Sequence, residues 1–302
     1  MHLGKKIVAV TPAGRKETLQ ILAHYILPNT IIDEWHLWLN TKKQSDVKYI
    51  ECLNHPKIKI INEYLDSDKI GHWSMIHRFF KHAIEPDTVY IRFDDDIVWM
   101  DYYSIYNLID FRIKNPEYFL VLGNTVNNAV CDHIHQNYCT AYDKNIFKDP
   151  FGYFYYDHFG AVCINYAIKK HWNLLQHIRS NTTNKYYHNN WNMKTEDRFS
   201  INVISWLGEE FAKFDGNVGI GEENWLTTTA PQQKNKANII LGNTLFSHYA
   251  FTMQRYNLNQ TNILEFYRKI TQNDFDSTKY HWEELVCNCH YDTLTKVFLE
   301  NQ

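Results

Sequence analysis

From Lys6 to Phe93, short apolar runs alternate with longer segments of helical spacing, and this rhythm restricts the fold more than any other feature of the chain. "KIVAV", "EWHLWLN", "KIKII" and "TVYIRF" read as strands; the first is followed by turn residues Thr11 to Gly14. Between the strands, the segments Arg15 to Leu27, Ser45 to Asn54 and His72 to Ile84 read as helices. Pro28 stops the first, Ser45 caps the second, and Pro86 follows the third. Such alternation builds a parallel sheet with crossover helices. Ligands of these sheets bind at the carboxyl ends of the strands, so Thr11 to Gly14, Asn40, Thr41 and Asp94 to Asp96 are expected to face one crevice.

The fourth strand ends in three adjacent carboxylates, Asp94, Asp95 and Asp96. Three like charges repel, and a pairing with Arg or Lys, solvation in a turn, or a bound cation can offset the repulsion. Successive residues alternate in direction, so Asp94 and Asp96 can share a side while Asp95 turns toward the sheet or a helix. Two convergent carboxylates make a hard oxygen site suited to Mn²⁺ or Mg²⁺.

At 302 residues, 44% hydrophobic, the chain can bury a sizeable core. Its net charge of -3, with Lys and Arg spread along the chain, gives no basic stripe for nucleic acid. The N-terminus lacks a signal-peptide core and no run reaches the roughly 18 apolar residues of a membrane span, so a cytoplasmic location is expected. Cys52, Cys131, Cys139, Cys163, Cys287 and Cys289 show no framework spacing and fit reduced thiols. "CNCH", Cys287 to His290, has the look of half a zinc site, without a second pair nearby.

A hydrophobic strand ending in Asp-x-Asp, about ninety residues into a strand-helix chain, resembles the metal motif of the GT-A fold glycosyltransferases. The resemblance covers roughly Lys6 to Ala250. It implies a Rossmann-like mixed sheet flanked by helices, and a nucleotide-sugar donor, with a UDP-sugar favoured, bridged by a divalent ion. It assigns Asp94 and Asp96 to the metal, and Thr11, Pro12, Ala13, Gly14, Arg15, Asp94 and Asp95 to the donor. "FSHYAF" resembles the segment whose C-terminal histidine completes the metal shell in some members, which makes His248 a third ligand. "GEENWL" resembles the acidic motif at a helix start in inverting members, so Glu223, with Glu222 beside it, is the expected catalytic base; this chain has Glu223 where Asp is commoner. Plain stabilisation of a helix N-terminus also accounts for the acid pair.

The expected organisation is one catalytic unit over 1–255, its nucleotide half 1–101 and its acceptor half 102–255, with a helical C-terminal extension over 256–302. In the acceptor half, Tyr102 to Lys114 reads as a helix, "YFLVLGN" as a strand, and Thr125 to Tyr156 shows no clear period. Asn127, Asn128, Tyr138, Tyr142, Tyr153 and Tyr155 suit a sugar-gripping wall. Two rival readings remain: Asp94 as the nucleophile of a haloacid-dehalogenase-like phosphatase, or a non-catalytic nucleotide-sugar-binding module.

Overall fold

The computed structural model describes residues 1–64, 67–142 and 164–272. Among these residues nine strands form one mixed sheet: β1 (Lys6–Ala13), β2 (Glu34–Leu39), β3 (Ile58–Ile61), β4 (Thr88–Phe93), β5 (Ile97–Met100), β6 (Val121–Val126), β7 (Trp191–Asn192), β8 (Val203–Leu207) and β9 (Ile239–His248). Their order is β3-β2-β1-β4-β8-β6-β9-β5, with β7 against β9. β1 to β4 are mutually parallel where they pair, as the sequence rhythm predicts. β8 runs antiparallel to both β4 and β6, which makes the sheet mixed. The expected nucleotide and acceptor halves therefore share one continuous sheet.

Helices cover both faces: α1 (Lys16–Ile26), α2 (Gln44–Glu51), α3 (Ser104–Lys114), α4 (Ala129–Tyr138) and α5 (Ile164–Arg179) are the main ones. β1 shows why the central strands read as unbroken apolar runs. Ile7 and Ala9 pack into one core with α1, while Val8 and Val10 pack into the opposite core with Trp38, Phe79 and Phe80. A strand covered on both sides has no polar face to display.

Several local expectations need correcting. β1 continues through Ala13, so Thr11 to Ala13 are buried strand residues and the turn is confined to Gly14 and Arg15. The Thr11 hydroxyl accepts a hydrogen bond from the Trp35 indole at 3.0 Å. Lys43 occupies the N-cap position of helix α2 without a side-chain cap, and Ser45 lies inside the first turn. The segment Trp73–His82 is a 3-10 helix, with the His72 side chain accepting from the Ser74 amide. Within Thr125 to Tyr156, read as aperiodic, lies helix α4. Its inward face carries Asp132 and His135 beside Val130 and Ile134, which hides the apolar period. Asp132 is neutralised by Lys170 of α5.

Helix α6 (Thr252–Leu258) crosses the expected start of the C-terminal extension, and helix α7 (Ile263–Thr271) is described within it. Tyr153, Tyr155 and the Cys287 to His290 cluster lie outside the described residues. Among the described residues no helix is long and apolar enough to cross a membrane.

Candidate active site

The chain leaves β4 at Phe93, turns through the three aspartates and re-enters the sheet as β5 beside β9, where Ile97 pairs with His248. Three main-chain bonds fix the turn: the Asp94 amide donates to Asn202 O at 2.9 Å, the Ile97 amide donates to Asp94 O at 3.1 Å, and the Tyr249 amide donates to Asp96 O at 2.9 Å. The carboxylates diverge as expected, but the geometry that separates them is that of a turn and not of a strand. Asp95 turns back to the head of α1, accepting from the Gly14 amide at 2.8 Å and from Arg15 Nε at 2.7 Å.

Asp94 and Asp96 face the same side and meet His248; one ligand atom from each lies within 4.8 Å of the others. Asp94 is held by Arg92 Nη2 at 2.7 Å and by Asn202 Nδ2 at 3.1 Å. Asp96 Oδ2 lies 2.5 Å from Arg255 Nη2, 3.3 Å from Arg15 Nη1 and 3.4 Å from His248 Nε2. Burial alone would raise the Asp96 carboxyl, but Arg15, His248 and Arg255 hold it well below the usual carboxylate range. Its second oxygen, Oδ1, is buried and has no hydrogen-bond partner. An ionised carboxylate oxygen withdrawn from water without a donor is costly. A hard divalent cation satisfies such an oxygen, and the two carboxylates and one imidazole are ligands that Mn²⁺ accepts.

The acid pair reaches this cluster through Arg92, which contacts both Asp94 and Glu222. Gly221, at φ 76°, takes the left-handed conformation open to a residue without Cβ and turns the chain into the short helix Glu222–Asn224. Glu222 is buried, with Oε1 3.8 Å from Arg92 Nη1. Burial is the main cause that raises its carboxyl above the ordinary value; Arg92 opposes the shift, while Asp94 and Glu223 add to it. Glu223 is more open, with 23% of its side chain exposed, and accepts from Arg198 Nε at 3.1 Å and Nη2 at 2.9 Å. Both bonds end on Oε1.

A group whose pKa is raised on folding favours the fold only when protonated, so ionised Glu222 costs stability increasingly as pH climbs through the raised value. Glu222→Gln is expected to unfold at a higher temperature than wild type at neutral pH, a gain that vanishes below the ordinary carboxylate range. Calorimetry at several pH values checks this. A variant that melts lower at neutral pH would show that Glu222 is held by its ion pair and not strained by burial.

Sequence patterns missed Arg92, Arg198, Asn202 and Arg255. Arg92 had a signal, since it lies two residues before Asp94 on an otherwise apolar strand; the others reach the site through tertiary register alone. In the expected acceptor wall, Tyr138 is exposed and Tyr142 buried. The Asn128 amide is taken up by Ser200 O at 2.9 Å and Asn202 Oδ1 at 2.8 Å.

No family model matches this chain, and no curated protein matches it. Solved structures do. Glucosyl-3-phosphoglycerate synthase from Mycobacterium tuberculosis, in complex with Mn²⁺, UDP-glucose and phosphoglyceric acid, is 12% identical over 91% of this chain and 82% of its own, with a TM-score of 0.46. A mycobacterial protein is 11% identical over 91% of this chain and 77% of its own, at a TM-score of 0.45. The 4-diphosphocytidyl-2C-methyl-D-erythritol synthase from Anaerococcus prevotii is 18% identical over 40% of this chain, at a TM-score of 0.28; the match spans 55% of that protein's length. At these identities and scores the chain's own residues, and not its neighbours, carry the reading of the site.

Proposed function

We propose that this chain is a metal-dependent glycosyltransferase of the GT-A type, moving a sugar from a nucleotide sugar, with UDP as the favoured carrier, to an acceptor hydroxyl with inversion. The observation that carries the reading is the convergence of Asp94, Asp96 and His248, together with an Asp96 Oδ1 that is buried and lacks a donor. These three residues would hold Mn²⁺ or Mg²⁺, which supplies Lewis-acid neutralisation of the leaving diphosphate.

The remaining work falls to the protein's own groups. The nucleotide lies over the Thr11–Arg15 segment, whose accessible part is Gly14 and Arg15, the second anchored on Asp95. Arg15 and Arg255 keep positive charge at the place where the diphosphate gathers negative charge. Glu223 is the base: its carboxylate is the reachable member of the acid pair, with Arg198 orienting it through Oε1. It removes the acceptor O–H proton as the oxygen bonds to the anomeric carbon and the carbon–phosphate oxygen bond breaks toward the diphosphate. Glu222, buried against Arg92, lies beside the strand that leads to Asp94 and takes no proton from the acceptor.

Thermal unfolding with UDP, Mn²⁺, both and neither tests the reading. A ligand at about 100 times its Kd adds about 2.7 kcal/mol to the folded state. The expected result is a shift with UDP and Mn²⁺ together that EDTA abolishes, accompanied by EDTA-sensitive turnover of a UDP-sugar. Failure of every nucleoside diphosphate to shift the transition in the presence of Mn²⁺ or Mg²⁺ would sink it.

A further inference from the structure

At the end of β6, Asn127 has a φ of 63°, a left-handed conformation that asparagine tolerates better than most residues. The residue is fully buried. Its Nδ2 lies 3.2 Å from His248 O, 3.1 Å from Tyr249 O and 2.9 Å from Gln254 Oε1, so the two protons of one amide serve three acceptors. Gln254 Nε2 donates back to Asn127 Oδ1 at 3.2 Å, and Gln254 Oε1 also accepts the Phe251 amide at 3.0 Å. The Asn127 main-chain carbonyl lies 3.2 Å from His248 Nδ1. That bond orients the ring so that Nε2 faces Asp96.

Helix α4 does not need this side chain. Its N-cap is the next residue, Asn128, whose side chain accepts from the Cys131 amide. The side-chain bonds of Asn127 run instead to the His248–Gln254 segment, the return that carries both His248 and Arg255 to Asp96.

We infer that Asn127, paired with Gln254, is a positioning residue that sets the orientation of His248 and the placement of Arg255 against Asp96. The inference rests on the metal reading given above. A histidine that binds metal through one ring nitrogen is commonly fixed by a carbonyl or carboxylate on the other, and loss of such outer partners typically costs about 10- to 100-fold in metal affinity.

Asn127→Gly keeps the left-handed backbone and the carbonyl acceptor while deleting the amide. Gln254→Met keeps the side-chain length while deleting the return bond. Mn²⁺ affinity of the full chain without nucleotide, followed by electron paramagnetic resonance well below the unfolding temperature, is expected to weaken about 10- to 100-fold in each variant. Because the two amides act as one clamp, the double variant should lose little more than either single one. Gln254→Met carries the test if Asn127→Gly does not fold. Variants that melt earlier yet bind Mn²⁺ with wild-type affinity mark a purely structural role and overturn the inference. His248→Ala separates the two levels. If it weakens Mn²⁺ binding while the clamp variants do not, only the positioning role falls; if it leaves Mn²⁺ binding intact, the metal reading falls as well.

Discussion

Asp96→Asn is expected to lower kcat/KM for sugar transfer by about 10²- to 10³-fold and to weaken Mn²⁺ and nucleoside diphosphate binding together. A metal acting on a leaving group is worth several kcal/mol, and each 1.36 kcal/mol is a factor of ten in rate. The amide nearly preserves the shape of the side chain but removes the charge that Arg15, Arg255 and His248 surround. Stability should fall as well. The loss should stay below the roughly 3–5 kcal/mol that follows when a buried ion loses its only partner, because the Arg15 side chain is 43% exposed and can turn to water. Kinetics across a Mn²⁺ series, beside a denaturant melt, separate the two effects. A variant with the wild-type rate and the wild-type metal requirement would remove Asp96 from the site.

Glu223→Gln carries the second large effect. General base catalysis is typically worth about 10²- to 10⁴-fold, and the substitution should lower kcat by a factor in that range while nucleotide affinity stays close to wild type. The glutamine oxygen can still accept from Arg198, so the loop keeps its shape. Glu222→Gln is the control and should retain most turnover, because that side chain is buried against Arg92 and not presented to the acceptor. Magnetic resonance of the product should show the donor's anomeric configuration inverted. Retention of configuration, or wild-type turnover by Glu223→Gln, would end the assignment. A reversed ranking of the two variants would move the base to Glu222.

The parallel half of the sheet was legible because its strands are buried on both faces, and such strands leave a continuous apolar trace. Asp94, Asp96 and His248 were legible because each lies at or next to a strand terminus and has a side chain with an obvious affinity for cations. The partners that tune them were not. Asn202, at the start of β8, reaches Asp94 only through strand pairing, and Arg255 reaches Asp96 only through the course of the chain after β9. Nothing in their spacing marks either contact. Helix α4 escaped for a different reason: hydrophobic periodicity records burial only when the buried residues are apolar. Asp132 is buried against Lys170, and His135 against Asn124. The 3-10 winding of Trp73–His82 was equally invisible, since Met75, Phe79 and Phe80 point inward at intervals that an α-helix would also allow.

The ion pair between Asp96 and Arg255 joins residues 159 positions apart in the chain. Loop-closure entropy rises with the logarithm of that separation, and contacts between distant residues generally form slowly. The helices and the β1 to β4 half can gather from nearer neighbours, whereas the carboxylate cluster stays incomplete until β9 has docked and the return through Gln254 has closed. In a refolding chain, helical signal should therefore return before affinity for metal, and a ribosome-bound fragment ending short of β9 would carry the aspartates without their completing imidazole.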